Sequence, residues 1–326
     1  MKVESNMGTH YFVTYSCQNY IHRILALAES LENQDTECHL LIYTEDKKVS
    51  DIIAGYSFKK VSAVHFPEMY SEKYEEIINN RSRVGYIFTC KSFFLEDAME
   101  RFDGDWFIWI DGDTSFFAEP DSVLNLRSES ILLTPHRFTS SFEIFKSQVG
   151  IYNAGVAGFK KNEIGKKCLS DWKLKCIDWC DAYVDDENQN FADQKYFDEL
   201  SRKYEDHIFI PHAGFNAGPY STLERNVKKE QNTIYIEDSP LILYHYQGLK
   251  ILSPRWVDYY AARNYVPKNH RKFIYKPYFD RVQKYTLELL PKYAFLKNTF
   301  PKIHFNDLKI QLKRKLEHTS NLGFHL

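Results

Sequence analysis

Long apolar runs are missing from this sequence. No stretch of its 326 residues approaches the about 18 apolar positions that a membrane-spanning helix needs, and the first residues lack the apolar core of a secretory signal. Neither membrane spanning nor secretion is expected. Cysteine is also scarce: six are scattered along the chain, too few for a disulfide framework at this length. Cys176 and Cys180 stand one helical turn apart in LKCIDWC, with Cys168 two turns earlier. A zinc site would want closer pairing and further ligands. Structural thiols in the reducing surroundings of the cytoplasm are the expectation. Internal repeats and low-complexity segments are absent too.

A hydrophobic content of 44% with 26% charged residues is ordinary for a globular chain, whereas 16% aromatic residues is high. The net charge of −2 hides an asymmetry. Between Arg263 and Lys315 there are 14 Lys and Arg against Asp280, Glu288 and Asp307, a net +11, so the rest of the chain carries −13. An acidic body with a basic, aromatic tail is the reading, and the texture changes near Arg263. The expected division is 1–262 for the catalytic domain and 263–326 for the extension.

Along the body, strand and helix patterns alternate. HYFVTYS (His10–Ser16), HLLIYT (His39–Thr44) and AVHF (Ala63–Phe66) read as strands. Ile21, Ile24, Leu25, Ala28 and Leu31 form one helical stripe, and a second helix is expected over Lys91–Phe102. Buried strands separated by helices argue for an α/β fold with a largely parallel sheet covered on both faces. Beyond residue 110 the pattern becomes mixed. ILLTPH, YNAGVAGF, HIFIPH, TIYIED and LILYHY are strand candidates, with helices near Glu163–Trp179 and Asp193–Tyr204.

The stretch WFIWIDGDTSFF (Trp106–Phe117) concentrates the chemistry. A five-residue apolar strand, Trp106–Ile110, runs into Asp111-Gly112-Asp113, and the stretch contains no Lys or Arg. Buried carboxylates cost several kcal/mol each unless a positive group answers them. Either a distant basic residue or a metal ion must do so. In an extended segment Asp111 and Asp113 would point to one side, with Gly112 allowing close approach. Such a pair suits a hard divalent cation, Mn2+ or Mg2+, with positions left for phosphate and water. The same letters permit a haloacid-dehalogenase-type phosphatase, with Asp111 as nucleophile, Asp113 as general acid and Asp185-Asp186 as metal acids. Against that stand the more than 100 residues before the motif and Ser115 where Thr is preferred.

Five pieces in order resemble glycosyltransferase family 8, a family of the GT-A (Rossmann-like nucleotide-diphospho-sugar transferase) fold. It includes bacterial lipopolysaccharide galactosyl- and glucosyltransferases and glycogenin. FVTYSCQNYIHRILALAESL (Phe12–Leu31) is similar to its nucleotide-binding strand and helix, and WIDGDTSFF to its metal motif. YNAGVAGFKK (Tyr152–Lys161) and ADQKYF (Ala192–Phe197) resemble its sugar-binding elements, and LYHYQGLK (Leu243–Lys250) its His-Tyr/Phe-x-Gly segment. The likeness covers about residues 10–255. It departs where Lys195 and Tyr196 follow Gln194, and where Lys250 comes one residue early after Gly248.

The resemblance implies roles for individual residues. His245 becomes the third metal ligand beside Asp111 and Asp113, although a histidine after an apolar strand is commonly structural. Asn153 would bind the donor sugar, with Ala154 and Gly155 giving it room. Asp193 would bind sugar hydroxyls, and Gln194 would lie near the anomeric carbon. Lys91 would contact the donor, unless it is a solvated helix lysine. Thr14 and Tyr15 would meet the nucleobase, Gly248 and Lys250 would line the donor, and Asn216 is a further loop candidate. The implied activity is metal-dependent transfer of a hexose from a nucleotide-sugar, UDP-linked, to a hydroxyl of a glycan or lipid-linked acceptor with retention. A degenerate, non-catalytic sugar-binding module is the remaining alternative.

The basic tail, with ten aromatics from Tyr265 to Phe305, is expected to attach to an anionic membrane surface. The alternative is a solvated helical extension. Nucleic acid is not an expected partner, because the acidic body would repel its phosphates. The location implied is cytoplasmic, at the periphery of the membrane.

Overall fold

The strand Trp106–Ile110 lies inside a seven-stranded sheet, flanked by Tyr11–Tyr15 on one side and Tyr152–Lys160 on the other. These come from a computed structural model that describes residues 9–66, 80–125, 127–185, 187, 190–259, 265–301 and 322–324. Across the sheet the order is Ile208–Phe209, Ile131–Pro135, Tyr152–Lys160, Trp106–Ile110, Tyr11–Tyr15, His39–Thr44, Val61–His65. Tyr11–Tyr15 pairs in parallel with both neighbours, Phe12 standing opposite Leu40 and Ile108. Tyr152–Lys160 runs antiparallel to both of its neighbours, so the sheet is mixed. All five residues of Trp106–Ile110 are buried, as a central strand covered on both faces requires.

This sheet belongs to the first of two units, made of Met1–Tyr15, Asp35–Asp111 and Glu119–His212. Its helix Arg83–Arg101 starts eight residues before the expected Lys91, because Ser82 accepts the Gly85 N–H at 3.0 Å and caps it. Helix Glu163–Asp178 is capped by Asn162 on the Gly165 N–H. At its other end the Arg81 guanidinium donates to the Cys176 and Ile177 carbonyls, both at 2.5 Å. That satisfies carbonyls a helix terminus leaves open. The expected Asp193–Tyr204 helix begins only at Tyr196. HIFIPH gives a strand of two residues, Ile208–Phe209, with Pro211 close behind.

The second unit comprises Ser16–Gln34, Gly112–Ala118 and Ala213–Leu326. Its strand Leu243–His245 runs parallel to Phe215–Ala217 and antiparallel to Thr114–Phe116, with His245 opposite Thr114. Helix Ile21–Glu32 is buried nearly all round, Arg23 and His22 included. Helix Lys276–Leu289 packs on it: Lys284 Nζ and Tyr285 OH both reach the Glu29 carboxylate, at 2.8 and 2.5 Å.

That packing corrects the picture of a free tail. Tyr275, Tyr278, Phe279 and Tyr285 are buried in this unit, so they cannot settle into a membrane interface. Tyr278 stacks on Tyr246 with ring centroids 3.8 Å apart. The boundary expected at 263 and the segment 302–321 lie outside the described residues. Among the described residues no helix is long and apolar enough to cross a membrane.

Candidate metal centre

Asp111 directly follows the buried strand, and its N–H continues the ladder by donating to the Gly155 carbonyl at 2.9 Å. The chain then turns at Gly112 and Asp113 before Thr114–Phe116, so the two carboxylates are set by a turn and not by the extended segment expected. The turn is tight. A Cβ on Gly112 would come within 2.6 Å of Ile24 Cδ1. Tyr246 donates its N–H to the Asp113 carbonyl at 2.8 Å, and His245 Nε2 lies 3.4 Å from Asp113 Oδ1. Asp113 and His245 stand together in the second unit, and Asp111, two residues before Asp113 in the chain, offers a further carboxylate. Burial pushes the Asp113 carboxyl up, but His245 and Arg23 outweigh it and hold it at about 2. Two carboxylates and an imidazole suit a hard or borderline divalent cation.

A distant basic residue is there as well. Lys91 is buried, not solvated, and its Nζ lies 3.1 Å from each of Asp111 Oδ1, Asp193 Oδ2 and the Ala154 carbonyl. The Ala154 carbonyl accepts a hydrogen bond from it, and the two carboxylates are its ion-pair partners. Burial alone would lower its pKa; Asp111 and Asp193 reverse that, so Lys91 stays charged. Asp193 is pushed up to about 6, by burial first and by Asp111, although Lys91 pulls the other way. Lys91 also sits over the rings of Phe88 and Trp109, at 5.0 and 5.4 Å.

The Tyr152–Lys160 strand is tied into the same network. Ala154 accepts from Lys91 and Gly155 from Asp111. Asn153 Oδ1 accepts the Gly155 N–H at 2.9 Å, and its amide donates to His136 Nε2 at 3.3 Å. His136 must then carry its proton on Nδ1, which donates to the Ile151 carbonyl. Gln194 donates to the Val149 carbonyl at 2.7 Å. In the first unit, then, Lys91, Asp111, Asn153, Ala154, Gly155 and Asp193 come together, with Gln194 adjoining. In the second, Asp113 and His245 do.

The other candidates stand as follows. Thr14 is fully buried on the first strand, and the Tyr15 hydroxyl accepts from Arg83 at 2.7 Å. Asn216 lies in Phe215–Ala217 with a left-handed backbone, φ 62°. Gly248, at φ 79°, occupies a turn closed by the Leu249 N–H on the Tyr246 carbonyl. Lys250 is exposed at the start of the next strand. Of the phosphatase pair, Asp186 lies outside the described residues.

Sequence reasoning missed Trp109, whose indole N–H donates to Asp111 Oδ1 at 2.7 Å. The signal was available: residues two apart at a strand end share a side. It also missed Arg23, which donates to the Leu249 carbonyl at 3.1 Å. No local pattern announces that contact.

No protein-family model matches the chain. It is similar to the uncharacterized protein YfnD of Bacillus subtilis (strain 168), 24% identical over 313 residues, covering 93% of this chain and 100% of that protein. Among solved structures it resembles the galactosyltransferase LgtC in complex with donor and acceptor sugar analogs. That match has a TM-score of 0.54 at 13% identity, over 87% of this chain and 100% of the other. It also resembles the glycosyltransferase GlyE of Streptococcus pneumoniae TIGR4, with a TM-score of 0.50 at 14% identity, over 91% of this chain and 66% of that one. With its large mixed sheet and these neighbours, the chain has the GT-A glycosyltransferase fold.

Proposed function

We propose that this protein is a divalent-metal-dependent glycosyltransferase that moves a hexose from a UDP-linked sugar to a hydroxyl of a glycan or lipid-linked acceptor, with retention. The observation that carries the reading is the Asp111, Asp113, His245 cluster on a GT-A fold. LgtC, of the same fold, was solved with donor and acceptor sugar analogs, which supports the same pair of substrate classes here.

The residues would divide the work. Asp111, Asp113 and His245 would hold Mn2+ or Mg2+, which when bound supplies Lewis-acid stabilisation of charge on a leaving diphosphate. Asp113, ionised down to about pH 2, is ready to ligate without losing a proton first. Trp109 and Lys91 hold Asp111 by the same oxygen, which fixes the direction of the other. Asp193 and Asn153 would orient the sugar hydroxyls, and Gln194 would face the anomeric carbon. Thr14 and Tyr15 would meet the base, with Asn216, Gly248 and Lys250 lining the donor. Of the tail's charges, exposed Lys268, Lys272, Lys276 and Lys292 remain for an anionic membrane surface.

The test is thermal shift with a panel of nucleotide-sugars in Mn2+, since a bound donor stabilises the fold by mass action. One sugar-nucleotide should raise the midpoint, and EDTA should abolish the rise. No shift with any of them would reject the reading.

A further inference from the structure

Arg23 is a charged side chain that lies off the apolar stripe of its helix and is buried all the same. It stands on Ile21–Glu32 and is buried with its neighbours. A buried guanidinium is costly unless its donors and its charge are answered. Its Nη2 donates to the Leu249 carbonyl at 3.1 Å, a buried contact across 226 residues of sequence. Its Cζ lies over the Tyr20 ring, 5.0 Å from the centroid. Among the described residues no carboxylate lies within ion-pair distance of it. Burial works against its charge, which Tyr20, Tyr278 and Asp113 answer, and Arg23 in turn helps keep Asp113 ionised.

The acceptor of its hydrogen bond matters. Leu249 ends the turn that begins at Tyr246, directly after His245, and carries Gly248 at φ 79°. Tyr246 is itself wedged by Tyr278 from the C-terminal helix. A methionine would fill the space Arg23 occupies, but it would leave the Leu249 carbonyl without its donor and remove the positive charge near Asp113. We propose that Arg23 is a positioning residue, which clamps the Tyr246–Leu249 turn from inside the second unit and so fixes His245 and Lys250 on either side of it. Its bearing on donor binding rests on the glycosyl-transfer reading; the clamp itself does not.

Hydrogen exchange followed by mass spectrometry on the full chain separates the two. In Arg23→Met, exchange of the Leu249 amide and its neighbours should accelerate about tenfold, while helix amides elsewhere keep their rates. Arg23→Lys, which keeps the charge but not the fork, should fall between and guards against a Met variant that does not fold. In the same variants KM for the nucleotide-sugar should rise more than kcat falls. Wild-type exchange at Leu249 in both variants, or equal acceleration throughout the chain, would overturn the clamp. A wild-type protein that binds no nucleotide-sugar with Mn2+ rejects the transfer reading, while the exchange pattern still decides the role of Arg23.

Discussion

Trp109 donates its indole N–H to Asp111 Oδ1 across 2.7 Å, and the same oxygen lies 3.1 Å from Lys91 Nζ. A group that orients a metal ligand from behind commonly contributes 10- to 100-fold to metal affinity, to order of magnitude. Trp109→Phe keeps the ring and removes the donor. Calorimetric titration with Mn2+ should show an affinity lowered by about that factor in a folded protein. An unchanged affinity would mean that Lys91 alone orients the carboxylate.

Lys91 bridges two carboxylates in the interior, so removing it strands both. Lys91→Met should lower stability by about 3–5 kcal/mol in urea unfolding. Adding Asp193→Asn should recover part of that, because one stranded charge is gone. A change within about 0.5 kcal/mol would be the behaviour of an exposed surface lysine.

His22 is buried beside Arg23, and burial first, then that charge, pushes it down from 6.5 to about 3. A folded pKa below the unfolded one means the unfolded chain binds the extra proton. The stabilising contribution is complete above about pH 6.5 and is lost as pH falls toward 3. Asp193, raised from 3.8 to about 6, acts with the opposite sign between those two pH values, so the comparison must be between variants. His22→Leu should flatten the fall in urea midpoint between pH 6.5 and 4 relative to wild type. Parallel curves would show that His22 is not the group responsible.

Cutting the chain before Tyr265 would remove Tyr275, Tyr278 and Tyr285 from the interior of the second unit and expose Tyr244 and Tyr246. The truncated protein should lose cooperative unfolding, by circular dichroism, in place of surviving as a tail-free enzyme. For the membrane proposal the informative variants are therefore charge reversals at Lys268, Lys272 and Lys292 in the full chain. They should weaken sedimentation with anionic liposomes at low salt. Retained binding would remove these lysines from the proposal.

What could be read in the sequence was what local pattern encodes. The apolar run Trp106–Ile110 announced a central strand, and the change of texture at Asp111-Gly112-Asp113 announced its end. His245 was legible only through its HYQG context. Lys91 was legible as a position but not as a buried one, because nothing near it in sequence shows that Asp193, 102 residues later, comes to meet it. The burial of part of the tail was not legible for a related reason. Its lysines fall on the outer face of Lys276–Leu289 and its aromatics on the inner face, so composition alone resembled a membrane-seeking segment.

The central claim is that Asp111, Asp113 and His245 bind a divalent cation needed to release a sugar from its nucleotide. The direct measurement is nucleoside-diphosphate release from a panel of nucleotide-sugars, in EDTA and after Mn2+ is restored, for wild type and for Asp113→Ala. Release should require Mn2+ in wild type and be absent in the variant under both conditions. Full release in chelator, or equal release by Asp113→Ala, would contradict it.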